Sequence, residues 1–92
     1  MADTTLQIPI IHMNGSHGPT LREGYREVHG ALRDALEKLR QTAPHGRDYY
    51  VSRDPDAFEK ARTEHRAREA ALVQVQKDMM ALSLAVAKQE KR

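Results

Sequence analysis

Residues 54–89 read DPDAFEKARTEHRAREAALVQVQKDMMALSLAVAKQ, and their periodicity decides the fold. Phe58, Ala61, His65, Arg68, Leu72, Val75, Met79, Leu82 and Val86 recur at spacings of three and four. That is the period of one face of an α-helix, and sustained over this length it is a heptad seam. Two polar residues, His65 and Arg68, interrupt the seam near its start. Asp54 and Pro55 suit a helix start, with Asp as N-cap and Pro in the first position, where its missing N–H leaves nothing unpaired. The spacing predicts a helix over about 55–89, roughly 50 Å long at 1.5 Å per residue. Val73, Met80 and Leu84, with Ala70, Ala71 and Ala81, widen the apolar face of its later half.

A second helical pattern lies upstream. Leu21, Tyr25, Val28, Leu32, Ala35 and Leu39 form one stripe. Thr20-Leu21-Arg22-Glu23 matches a capping box, which predicts a helix over about 20–42 closed by Ala43-Pro44. Gly24 and Gly30 each weaken it by about 1 kcal/mol relative to Ala. Gly30 lies just off the stripe and suits close approach of another backbone. Two such helices predict an all-α antiparallel hairpin in a single domain, residues 1–92. In that hairpin Leu39 lies beside Phe58 and Ala61, Leu32 beside His65, Val28 beside Arg68 and Leu72, and Leu21 beside Val75 and Met79. The second helix then overshoots the start of the first by several turns.

Residues 1–5 are polar and expected to be disordered. Residues 6–13 are rich in β-branched side chains but contain Pro9, so they predict an extended N-terminal arm or edge strand. Asn14 to Pro19 is a turn cluster. The arm is placed to cover the overshoot with Ile8, Ile10 or Ile11. An apolar face around 70–86 still remains open, which predicts a homo-oligomer, a dimer being the commonest case.

Composition removes several classes of function. There is no cysteine, hence no disulfide and no thiolate zinc site, which fits a reducing cytoplasm. The first thirty residues lack a signal-peptide pattern, and the uninterrupted apolar runs are too short to span a bilayer, so no membrane partner is expected. Lys and Arg number 15 against 13 Asp and Glu, with the signs interspersed. A duplex-binding protein concentrates positive charge on one face, so nucleic acid is not the expected partner. His12, His17, His29, His45 and His65 lack metal-ligand spacing, and Ser16, Ser52 and Ser83 sit in no nucleophile elbow. The expectation is a protein that is not an enzyme, with no cofactor and no metal.

The chemistry concentrates in the interhelical loop, Ala43 to Pro55. Tyr49 and Tyr50 can stack on a planar group while their hydroxyls hydrogen-bond. Arg47 offers a planar fork for phosphate or carboxylate, with Arg53 as a second cation. Gly46 allows close backbone approach to a ligand. These residues could hold a nucleotide; equally, a tyrosine could plug the end of the core while Arg47 pairs with Asp48, Asp54 or Asp56. His12 and Asn14 form a second candidate, alternating onto one face if their segment is a strand, or serving a turn if it is not. His65 and Arg68 either set seam register or line a polar pocket in an oligomer. A composite of loop and arm needs two chains. Within one hairpin they lie about 33 Å apart, the length of 22 helical residues. An antiparallel neighbour joins them.

The strings Ile11-His12-Met13-Asn14-Gly15, Pro44-His45-Gly46-Arg47-Asp48-Tyr49-Tyr50 and Glu64-His65-Arg66-Ala67-Arg68 resemble a family of small phage and prophage proteins over nearly the whole chain. His45 stands where those proteins carry Asn. The resemblance implies a viral origin and the host bacterial cytoplasm. Small phage accessory proteins include inhibitors of host defence, and some are short helical oligomers that sequester nucleotide signals. The expected function is therefore non-catalytic sequestration of a small phosphate-bearing ligand, such as a nucleotide immune signal, by Arg47, Tyr49 and Tyr50 with His12, Asn14 and Arg53. The alternative is a protein–protein interaction module that grips a host or phage protein.

Overall fold

The structure, a computed structural model, describes residues 6–91; the expectation of disorder at 1–5 lies outside them. Two helices, α1 (Gly18–Arg40) and α2 (Ala57–Glu90), run antiparallel and are joined by a loop holding one short 3-10 turn, Gly46–Asp48. Among the described residues there is no strand. The molecule measures 61 × 25 × 18 Å with a radius of gyration of 18.8 Å. A compact chain of this length has a radius near 12 Å, so this is a rod.

Helix α1 starts two residues before the capping box, with His17 in the N-cap position and no side-chain cap bond. Thr20 and Glu23 therefore lie inside the helix. Pro19 explains the earlier start, because its fixed φ already suits a first turn. Gly18 is buried there, and a Cβ on it would come within 3.1 Å of the Glu90 carboxylate. At the other end Thr42 Oγ1 donates to the Leu39 carbonyl at 2.7 Å, and Ala43 N–H reaches Arg40 O.

Helix α2 starts two residues later than expected. Asp54 is not its N-cap; it closes the preceding turn, where its Oδ1 accepts the Asp56 N–H at 2.9 Å. Its Oδ2 takes Lys60 Nζ at 2.7 Å, which ties that turn to the first turn of the helix.

The register is the main departure from expectation. Arg22 faces Glu90 at 3.1 Å, and Arg40 faces Glu69 at 4.0 Å. The expected pairing, Leu39 beside Phe58, is displaced by about three helical turns. The start of α1 and the end of α2 are flush, and the overhang is at the other end, where α2 begins. The physical cause is the loop. It does not reverse at once but runs back along α2, placing Pro44 beside His65 and Tyr49 against Phe58.

The buried faces shift with it. Leu36, not Ala35, is the buried apolar side chain of α1, and Val28 is exposed. Along α2 the buried positions are Ala61, His65, Leu82, Ser83 and Val86, whereas Arg68 and Val75 of the expected seam turn outward. Ala61, His65, Leu82 and Val86 are seam positions, so the seam is buried at both ends and opens at Arg68 and Val75. Gly30 makes no close approach: a Cβ there would meet nothing within 4 Å.

The N-terminal segment is tied down at one place. Gln89 Nε2 donates to the Pro9 carbonyl, and Ile11 N–H donates to Gln89 Oε1, both at 2.8 Å. This amide stands in for a neighbouring strand. The segment therefore sits at the tip of α2 and leaves the apolar face of 70–86 open: Val75, Met80 and Leu84 are exposed, as are Ile8 and Ile10, while Ile11 is half-buried. One 18-residue window of α2 reaches a mean hydropathy of 1.2, and 17 % of it is buried. By length and composition that window could cross a bilayer. Counting uninterrupted apolar runs misses it because polar residues are interspersed.

Candidate functional site

The loop is built from successive tight turns. Asp48 N–H donates to His45 O, the Tyr49 and Tyr50 N–H groups to Gly46 O, and Ser52 N–H to Tyr49 O. These bonds close the loop in short local steps. Gly46 has an ordinary backbone conformation, and a Cβ on it would touch nothing within 4 Å. The chain itself does not require glycine there.

The two tyrosines divide the roles that the sequence left open. Tyr49 is half-buried and tilted over Phe58, with ring centroids 6.1 Å apart. The Arg62 guanidinium covers the same Phe58 ring at 5.6 Å. Tyr49 closes the end of the core. Tyr50 is 80 % exposed. Arg47 and Arg53 are exposed, and among the described residues neither has a carboxylate within 4.0 Å. The alternative in which Arg47 pairs with Asp48, Asp54 or Asp56 is not seen, and the Asp54 carboxylate instead takes Lys60. Lys60 and, next, the Asp56 amide hold the Asp54 carboxyl below its ordinary value of 3.8.

His12 and Asn14 are exposed and lie at the opposite end of the rod. They do not alternate on a strand. Gly15 N–H donates to His12 O at 3.1 Å, which makes 12–15 a turn, and the His12 ring folds over Gly15. Their segment is anchored at Gln89 and the loop at Phe58, positions separated by 31 residues of helix, about 46 Å. One chain therefore does not bring the two sequence motifs together.

The pairing of His65 with Glu69 and a cavity between the helices were not among the sequence expectations. His65 is 6 % exposed, and its Nε2 lies 3.2 Å from Glu69 Oε2 without hydrogen-bond geometry. Arg40 approaches the same carboxylate at 4.0 Å, and Ala43 and Pro44 cover the cluster. The i, i+4 spacing of His65 and Glu69 was the available signal. A cavity of about 300 Å³ opens between the middle of α1, at Arg26, His29, Gly30 and Arg33, and the C-terminal third of α2, at Met79, Met80 and Ser83. Among the described residues no cluster of three His, Asp or Glu could hold a metal ion.

No protein-family model matches the chain, and no curated protein or solved structure matches it.

Proposed function

We propose that the chain is a non-catalytic phage accessory protein. As a homo-oligomer in the host bacterial cytoplasm, it sequesters a small phosphate-bearing ligand, a nucleotide immune signal in particular. One observation carries this reading: Arg47, Tyr50 and Arg53 stand on a single turn-rich loop with no ion-pair partner among the described residues. Two free guanidiniums beside an exposed aromatic ring match a phosphate next to a planar base. Tyr49 contributes by holding the loop on Phe58. His12 and Asn14 join the site only from an antiparallel second copy.

The surface favours such a copy. The chain exposes 7236 Å², whereas a compact monomer of 10.5 kDa exposes about 5,400 Å². Val28, Val75, Met80 and Leu84 contribute apolar area to that excess.

The test is a thermal-shift and calorimetry panel of linear and cyclic nucleotides. Binding that Arg47→Ala abolishes while the melting temperature stays within about 2 °C of wild type supports the reading. A large loss of stability in Arg47→Ala, or a flat panel, overturns it. The composite arrangement has its own readout. Mixing Arg47→Ala with Asn14→Ala protein restores about a quarter of the wild-type sites if they form between two chains of a dimer, because a mixed pair rebuilds one intact site.

The same apolar face supports the second reading, an interaction module for a host or phage protein. A flat nucleotide panel with a monomeric chain and a stoichiometric protein partner selects it.

A further inference from the structure

The cavity lies 21 residues of helix, about 32 Å, from Phe58, where the loop packs, and six to ten residues from Gln89, which anchors the N-terminal segment; it stands apart from the proposed loop site. Its construction is local. Gly30 supplies no side chain, and a Cβ built there touches nothing within 4 Å, so the missing methyl group is space rather than a close approach. Helical glycine costs about 1 kcal/mol relative to alanine, and the fold gains no contact from it. Around that gap α1 places Arg26, His29 and Arg33 at i, i+3 and i+7, hence along one face. The opposite wall is Met79 and Met80, polarizable side chains that adapt to flat or irregular ligands. Ser83, 6 % exposed, adds a hydroxyl.

The charge pattern is one-sided. No carboxylate lines the cavity. Among the described residues Arg26 has no ion-pair partner, and Arg33 has only its neighbour Asp34, at 4.0 Å with both side chains about three-quarters exposed. An exposed pair at that distance contributes little and competes weakly with a ligand. The volume of about 300 Å³ is at the lower end for small-molecule sites, large enough for one or two aromatic rings with an anionic group.

We propose that this cavity binds an aromatic oxyanion. Its flat body lies between Met79, Met80 and the Gly30 backbone, and its phosphate or carboxylate is held by Arg26 and Arg33. The two guanidiniums accept either oxyanion, so the shared chemistry defines the site.

Amide chemical-shift mapping on the full chain tests it with three probes: 1-naphthyl phosphate, 1-naphthoate and uncharged 1-naphthol. Both anions should shift Gly30 and Ser83 and bind at least about tenfold more tightly than naphthol, the 1.4 kcal/mol expected of one charge-assisted contact. A tighter phosphate than naphthoate assigns the ligand to phosphate esters, and the reverse order assigns it to carboxylates. Gly30→Leu fills the cavity while improving helix propensity, so it should abolish binding with the melting temperature kept or raised. If Gly30→Leu fails to fold, Arg26→Gln/Arg33→Gln replaces it and should lower anion affinity to that of naphthol. Shifts confined to Val75 and Leu84, equal binding of naphthol, or anion binding that survives both variants overturns the proposal. So does an absence of binding at millimolar probe.

Discussion

Glu90 receives both Nε and Nη2 of Arg22, each at 3.1 Å, across 68 residues of sequence. This fork joins the second turn of α1 to the last turn of α2 and pins the flush end of the hairpin. It is the longest-range side-chain ion pair among the described residues, and it is the contact that a slip of register would break first.

Its loss should be measurable but modest. Both side chains are partly exposed, 30 % and 23 %, so solvent screens the pair. Glu90→Gln or Arg22→Lys should cost about 0.5–1 kcal/mol, since bidentate geometry is worth more than a single contact. Thermal unfolding should show a fall of about 2–8 °C that shrinks at 1 M salt. A change that is independent of salt would show that packing, not charge, holds the end of the hairpin.

Two glycines of α1 should respond oppositely to alanine. Gly30→Ala adds a methyl group into open space and should stabilise by about 0.5–1 kcal/mol through helix propensity. Gly18→Ala places its Cβ 3.1 Å from the Glu90 carboxylate, so the Arg22 fork must give and the propensity gain is offset. Paired urea titrations check the difference, and equal gains at both sites would refute the close approach at Gly18.

Asp54 gives the start of α2 an acid sensitivity. Its carboxyl is held below the ordinary 3.8, first by the Lys60 ammonium and then by the Asp56 amide. A lowered folded value means that its contribution is complete above the unfolded value and disappears as pH falls through the folded one. Asp54→Asn should therefore flatten the loss of melting temperature below about pH 4 and leave the curve between pH 6 and 8 parallel to wild type. The side chain is 40 % exposed and solvent screens it, so the effect lies in the shape of the acid limb, read by circular dichroism melts.

His65 separates volume from polarity. Its Nε2 is buried without a hydrogen bond, 3.2 Å from Glu69. His65→Leu keeps most of the volume and removes the unsatisfied atom, so it should stay within about 1 kcal/mol of wild type. His65→Ala leaves a hole beneath Pro44 and should cost about 2–3 kcal/mol. A His65→Leu loss as large as that of His65→Ala would mean that the Glu69 contact carries real binding energy.

The candidate loop was legible as a set of residues but not as an arrangement. Arg47, Tyr50 and Arg53 stand exposed on the loop. That Tyr49 turns inward was not readable, because adjacent tyrosines have the same propensity and only Phe58 distinguishes them. Arg68 and Val75 turn outward although Ala61, His65, Leu82 and Val86 of the same seam are buried, because periodicity places a residue on a face but does not say where along that face the other helix makes contact. His12 went to a turn because Asn14-Gly15 closes one locally.

The sequence by itself determined the two helices and their limits to within about two residues. Periodicity, proline and loop composition act through neighbours within one or two turns, so they can be read along the chain. Only the tertiary structure decided which end overhangs, which residues meet across the hairpin, and that a cavity opens beside Gly30. The reason is physical. Register is set by small differences between whole sets of interhelical contacts, and a 16-residue loop is long enough to permit several of them. The Arg22–Glu90 fork and the run of Pro44 and Tyr49 back along α2 select one, and no local pattern encodes that selection.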